Sequence, residues 1–258
     1  MPSGYSSDRS SIEREIAANS QQFFNDWLAS LSSNAKKLSA DKLNIENYAR
    51  LSALNGVVSV ISGEFDLESR KFILEAQNDA LLSHVSATFG SWRLSQQSLR
   101  SFIENSLCAI YYIDHPIELK LWEDEKFRIG FKEISKYVAS HPYISRYKCV
   151  LDSIGDLDNE YSELSKSVHG SARDVRMTDQ VSDILLWDSS IARYGKWTTR
   201  QRGAMSGIVI LFLAMFERKF KGAQHLEIRR ALNFVLTPKK IRNVVEQLRI
   251  NIPKIHPN

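Results

Sequence analysis

The sequence SLRSFIENSLCAIYYIDHP, residues 98–116, predicts a central helix that decides the fold. Its large apolar residues recur at intervals of three and four, which is the period of one helix face. We predict a cap at Ser95 or Ser98 and a stop at Asp114-His115-Pro116, because proline lacks a backbone N–H and restricts the residue before it. The apolar stripe consists of Leu99, Phe102, Ile103, Leu107, Ile110 and Tyr111.

The rest of the chain predicts further helices on both sides of this one. A cap at Ser10 with Glu13 starts the first helix, and Thr198 or Thr199 starts a long helix whose middle is very apolar. Short links between successive helices are typical of a bundle. The predicted helices span about 11–35, 41–61, 67–89, 127–138, 145–168 with a break at Gly155, 198–219 and 224–235, and a last one starts at Thr237-Pro238.

The predicted fold is therefore all-α, a single helical bundle formed by residues 1–258 as one domain. Its core covers about residues 95–170, and basic helices occupy about 198–250. An irregular segment lies near 170–197, where residues 177–187 show no clear period and are compatible with a strand or a lid.

Composition indicates a cytoplasmic globular protein. Hydrophobic residues make up 43% of the chain and charged residues 25%, which are ordinary values. The N-terminal sequence has no signal-peptide pattern, and the apolar run 208–216 is much shorter than the roughly 20 residues that span a bilayer, so no membrane partner is expected. Cys108 and Cys149 lie in apolar helical patterns and are expected to be buried free thiols.

Charge is distributed unevenly along the chain. Residues 193–258 carry 14 Lys and Arg against three Glu, a net charge of +11, so the remainder carries −7. Such a basic end either binds a polyanion or neutralises the acidic part across an internal or subunit interface. The candidate residues for binding nucleic acid or a partner are Arg229, Arg230, Lys239, Lys240, Arg242 and Arg249.

Several common catalytic signatures are absent. The chain contains no phosphate-binding loop, no dinucleotide-binding glycine motif and no HExxH zinc motif. An acidic cluster lacks the glycine and the terminal glutamate of a calcium loop, so a solvated acidic face is the favoured interpretation. We therefore expect no metal and no cofactor. The cluster consists of Asp152, Asp156, Asp158, Glu160 and Glu163.

Two short motifs carry groups that are suited to acid–base or phosphate chemistry. Arg100 and Glu104 are four residues apart and share a helix face. In YSELSKSVHG, residues 161–170, Tyr161, Ser165 and His169 follow at four-residue spacing. Histidine transfers protons near neutral pH, and an arginine binds a phosphate through two parallel hydrogen bonds. The alternative is structural, with Arg100 and Glu104 as an ion pair and His169 bonded to a helix-end carbonyl.

These two motifs, LRSFIEN and YSELSKSVHG, resemble the all-helical HEPN superfamily over about residues 95–170. The likeness is to bacterial families that keep an Arg-x-x-x-Glu helix and a later helix ending in Ser-x-x-x-His-Gly. The resemblance implies a helical bundle in a prokaryotic toxin or antiviral-defence system, commonly a dimer. Many members are metal-independent ribonucleases with an Arg-x4–6-His motif.

The chain departs from that motif at His169, because the residues five to seven positions before it are Leu164, Glu163 and Ser162. Arg218 with His225 and Arg249 with His256 do have the spacing, but Gly222 and Pro253 interrupt them, so neither pair suits a continuous helix. This departure favours a non-catalytic subunit that docks on a partner protein or a nucleic acid through the basic end. The alternative is a ribonuclease in which Arg100, Glu104 and His169 are catalytic and Tyr161 and Ser165 support them. The expected partner is another protein subunit or a second copy of the chain, with RNA or DNA as a further candidate.

Overall fold

The computed structural model of the chain describes residues 4–168 and 187–255. Within these two ranges the chain forms helices and no strand, so the predicted all-α bundle is confirmed. Residues 169–186, which include His169, Gly170 and most of the predicted irregular segment, lie outside the described residues. The helices are α1 (Gly4–Ser39), α2 (Lys42–Ile61), α3 (Ser69–Thr88), α4 (Trp92–Asp114), α5 (Pro116–Glu123), α6 (Phe131–Ser140), α7 (Lys148–Val168), α8 (Ile191–Met215), α9 (Glu217–Phe220), α10 (Leu226–Ala231) and α11 (Pro238–Asn243).

Helix α4 lies in the centre of the bundle, as its apolar stripe predicts. It packs along α3, with which it forms a tight helical hairpin, and it also contacts α6, α7 and α8. All six residues of the predicted stripe are buried. The helix ends at Asp114 before Pro116, as predicted, but it begins at Trp92 and not at Ser95 or Ser98. Trp92 is buried, and its packing extends the helix by one turn.

Helix α8 forms the second axis of the core. Its residues from Ala204 to Met215 are all buried, so this stretch is enclosed on every side, as its apolar sequence predicts. It packs against α7, α2 and α4. The close approach of α7 requires Gly207, because a Cβ at that position would lie 2.7 Å from the side chain of Leu157.

The start of α8 corrects the predicted boundary of the irregular segment. The helix begins at Ile191, and its cap is Ser190, whose Oγ accepts a hydrogen bond of 3.3 Å from the Arg193 N–H. Thr198 and Thr199 are therefore inside the helix. The early start is explained by packing, because the first turns bury Tyr194 and Trp197 in a small second cluster with Leu38, Ala87 and Trp92.

Other predicted boundaries are also wrong in part. Helix α7 passes through Gly155 without a break, because a glycine costs a helix only about 1 kcal/mol and the buried residues Ile154 and Leu157 on either side keep the helix in the core. Helix α1 begins before Ser10 and the predicted capping box. The cap at Thr237 is confirmed, since its Oγ accepts a hydrogen bond of 3.3 Å from the Lys240 N–H.

Helices α3 and α4 are joined at Gly90, which adopts a φ of +81°. A Cβ there would overlap the carbonyl oxygen of Asp188, whose N–H also donates a hydrogen bond of 3.0 Å to the Gly90 carbonyl. Only glycine tolerates both the positive φ and the close approach of Asp188.

No helix in the part of the chain that the structure describes has the length and apolar character needed to cross a bilayer.

Candidate functional site

Arg100 is the centre of a polar network between α4 and α7. Its Nε donates a hydrogen bond of 3.1 Å to Ser165 Oγ, and its Nη2 donates one to the Tyr161 hydroxyl. Its Nη1 lies 3.4 Å from Glu104 Oε2, one turn further along α4. The two side chains are 27% and 37% exposed, so the network lies at the edge of the core and reaches solvent.

Tyr161 connects the network to the core. Its hydroxyl donates a hydrogen bond of 3.4 Å to Glu104 Oε2, and the Arg100 guanidinium carbon lies 4.5 Å from its ring centroid. The ring also stacks on Phe131, with 3.5 Å between ring centroids. Burial, followed by the charge of Glu104, raises the pKa of Tyr161, so the phenol is neutral and acts as a donor at neutral pH.

Four of the five predicted site residues lie close together in the structure. The structure places Arg100, Glu104, Tyr161 and Ser165 in one network, and Ser165 also donates a hydrogen bond of 2.7 Å to the Tyr161 carbonyl. The fifth residue, His169, lies outside the described residues. Each of the three Arg100 nitrogens already has a protein partner, so a phosphate would compete with Ser165, Tyr161 and Glu104 for the guanidinium.

Comparisons of this chain with models of known protein families, with curated proteins and with solved structures found no match. The resemblance to the HEPN superfamily thus depends on the two motifs alone.

The predicted acidic cluster is divided among several neighbours. Asp152 pairs with Lys148 at 2.7 Å, and Asp156 lies 3.4 Å from Lys240. Asp158 accepts a hydrogen bond of 2.6 Å from Ser135 Oγ. The remaining two acids, Glu160 and Glu163, contact Arg200 at 3.0 and 3.5 Å. Among the described residues no three side chains of the metal-binding types converge.

Arg229 corrects the predicted basic surface. The residue is 2% exposed, and its guanidinium donates hydrogen bonds of 2.9 Å to the Asn251 carbonyl and 2.7 Å to the Gly222 carbonyl. It joins two loops of the C-terminal region and is inaccessible to a partner. Its sequence neighbour, Arg230, is on the surface and pairs with Glu227 at 2.8 Å.

The other predicted cations differ in their availability. The Lys240 ammonium already has partners within the chain, since its Nζ donates a hydrogen bond of 2.9 Å to Ser206 Oγ and lies 3.4 Å from Asp156. Lys239 and Arg242 are exposed, three residues apart on α11, and Arg249 is exposed just after the π-helical turn Val244–Leu248. Within the described residues none of these last three has an acidic partner.

Sequence patterns single out neither Phe131, which stacks on Tyr161, nor Arg200, which joins α7 to α8 beside the network. The sequence predicts Phe131 only as part of a segment over 127–138, although Gly130 before it marks the start of α6. Arg200 anchors α7 to α8 through Glu160 and Glu163, and no local pattern indicates it. Its partners lie about 40 positions earlier, so only the packing of the two helices brings them together.

Proposed function

We propose that this chain is a non-catalytic, HEPN-like subunit of a prokaryotic antiviral-defence or toxin system that docks on nucleic acid through its basic C-terminal part. The supporting observation is the exposure of Lys239, Arg242 and Arg249 without acidic partners in the described residues. A phosphate backbone is bound by such side chains with little regard to base sequence. The saturation of Arg100 by protein groups agrees with a non-catalytic role.

Salt-dependent binding of labelled RNA and DNA oligonucleotides tests this function. Each phosphate contact contributes about −0.7 to −0.9 to the slope of log K against log salt. The triple variant Lys239→Glu, Arg242→Glu, Arg249→Glu should therefore bind with a slope that is shallower by about 2–3. A matched control reverses three exposed lysines of the acidic part, Lys120, Lys126 and Lys148, and should keep most of the affinity.

Two outcomes would contradict docking on nucleic acid. Equal losses in the two triple variants would show that only total charge matters. Unchanged binding of oligonucleotides, together with loss of a co-purifying acidic protein, would assign the surface to a protein partner.

A metal-independent ribonuclease is the second candidate function, and the convergence of Arg100, Glu104, Tyr161 and Ser165 supports it. In this proposal the guanidinium binds the scissile phosphate and His169 transfers the proton. RNA cleavage in the presence of EDTA should then be lost in His169→Ala and retained in His115→Ala, a control at a partly buried histidine that is not a member of the network. Cleavage that survives in His169→Ala would exclude this candidate.

A further inference from the structure

Helix α1 projects from the bundle. Residues 9–26 are all exposed, and the helix contacts other described elements from Trp27 onward: the Trp187 indole meets Trp27 and Ser30, Asn34 donates a hydrogen bond of 3.4 Å to the Phe89 carbonyl, and Leu38 is buried. The link to α2 is residues 40–41, and the exposure of residues 9–26 shows that this part of the helix packs on no described helix of its own bundle. At about 1.5 Å per residue, residues 9–26 extend roughly 27 Å beyond these contacts.

The projecting part of α1 carries an apolar stripe. Ile12, Ile16 and Phe23 are 50–61% exposed and lie on one face with Trp27, whose ring packs on Trp187 at 5.6 Å. Isolated helices are marginally stable in water, and their stability in proteins comes from packing of the apolar face. An exposed stripe of this size is typical of an interaction surface.

A second apolar surface, which no described part of the chain covers, lies in the groove between α2 and α3. Ile45, Tyr48, Leu74 and Leu81 are 51–71% exposed, and three of them line a cavity of about 440 Å³. The remaining lining residues are apolar or carry neutral amides and hydroxyls, so the groove contains no charge: Leu51, Ser52, Asn55, Gln77 and Asn78.

The two surfaces match each other in chemistry. On the face of its apolar residues, the α1 stripe also carries the neutral side chains of Asn19 and Ser20, which suit an uncharged groove lined by amides. A lipid surface fits less well, since helices that lie on membranes are rich in Lys and Arg. Residues 9–30 carry two Arg against three acids.

We propose that α1 docks in the α2–α3 groove of a second copy of this chain, and that the second copy returns the same contact in a two-fold dimer. Each copy contributes eight large apolar side chains to the two contacts. If each covers about 80 Å², roughly half the area of a buried aromatic side chain, the dimer buries roughly 1,300 Å². Stable interfaces bury about 1,200–2,000 Å². One interface then accounts for the exposure of both the α1 stripe and the α2–α3 groove.

Light scattering during size-exclusion chromatography tests the dimer. The full chain should elute with twice the monomer mass of 29.5 kDa. Ile16→Glu with Phe23→Glu on the stripe, and Leu74→Glu with Leu81→Glu in the groove, should each give a monomer. Leu67→Glu with Ile117→Glu, two exposed apolar residues outside both surfaces, is the matched control and should stay dimeric. A monomeric wild type at all accessible concentrations would overturn the proposal.

Mixing the two defective variants separates this arrangement from direct pairing of two α1 helices. In the mixture, an intact stripe on one chain meets an intact groove on the other, so one of the two contacts forms and dimers should partly reappear. Circular dichroism of each variant alone checks that the bundle is folded, as expected for substitutions at exposed positions. A groove variant that remains fully dimeric would refute docking in the groove.

Discussion

Arg229 and Arg230 are adjacent in sequence, yet they should respond very differently to replacement by methionine. Arg229→Met removes two hydrogen bonds from a charged donor, each of which contributes about 1.5–3 kcal/mol. The cost of burying the guanidinium, whose Nε has no partner, offsets part of that sum. We expect the free energy of unfolding to fall by about 2–4 kcal/mol. Arg230→Met breaks only an exposed pair with Glu227 and should cost at most about 0.5 kcal/mol.

Urea unfolding followed by circular dichroism measures both variants. Arg229→Lys is the third member of the series, because lysine keeps the charge but its single ammonium cannot reproduce the fork that joins the Gly222 and Asn251 carbonyls. It should lose at least half as much stability as Arg229→Met. If Arg229→Met and Arg230→Met lower the free energy of unfolding equally, the structural role of Arg229 is refuted.

Three further predictions concern stability and reactivity. Gly90→Ala should destabilise the fold by about 1–3 kcal/mol, since its Cβ would overlap the Asp188 carbonyl at a positive φ, whereas Gly63→Ala, with open space around it, should be tolerated. Burial lowers the pKa of His84 to about 4, so the unfolded chain binds a proton that the folded chain does not. Stability should therefore fall by up to about 3 kcal/mol as the pH drops from about 6.5 to 4, and urea unfolding of His84→Gln should show a weaker pH dependence. Burial also raises the pKa of Cys108 to about 12, so alkylation of this thiol, followed by mass spectrometry, should require unfolding.

The sequence predicts those parts of the fold that depend on local periodicity. The stripe of α4 and the enclosed run of α8 follow from spacing and composition, and both are buried. Helix ends are less predictable because packing sets them. Serine is a residue type that often caps helices, which is why Ser95 is a candidate cap. In the structure the helix already begins at Trp92, and the Ser95 hydroxyl donates a hydrogen bond to the Trp92 carbonyl inside it.

Within the candidate site, the faces were predictable and the individual roles were not. Four-residue spacing put Arg100 beside Glu104, and Tyr161 beside Ser165, because a helix repeats at that interval. The sequence around Arg229 does not distinguish it from Arg230, since the carbonyls that accept its hydrogen bonds belong to residues 222 and 251. Such roles depend on contacts between distant parts of the chain, which a pattern of residue types does not contain.

The enclosure of α8 has a consequence for synthesis on the ribosome. Helix α2 is synthesised long before α8. Its buried Asn47 donates a hydrogen bond of 2.9 Å to Thr198, which lies 151 positions later, so this bond can form only after α8 has been synthesised. At a translation rate of about 5–20 residues per second, synthesis of the intervening chain takes about 8–30 s. During this time the nascent chain exposes the apolar surfaces of α2, α4 and α7 that α8 will cover. Nascent chains stalled before residue 190 should therefore bind chaperones, and release should coincide with emergence of α8.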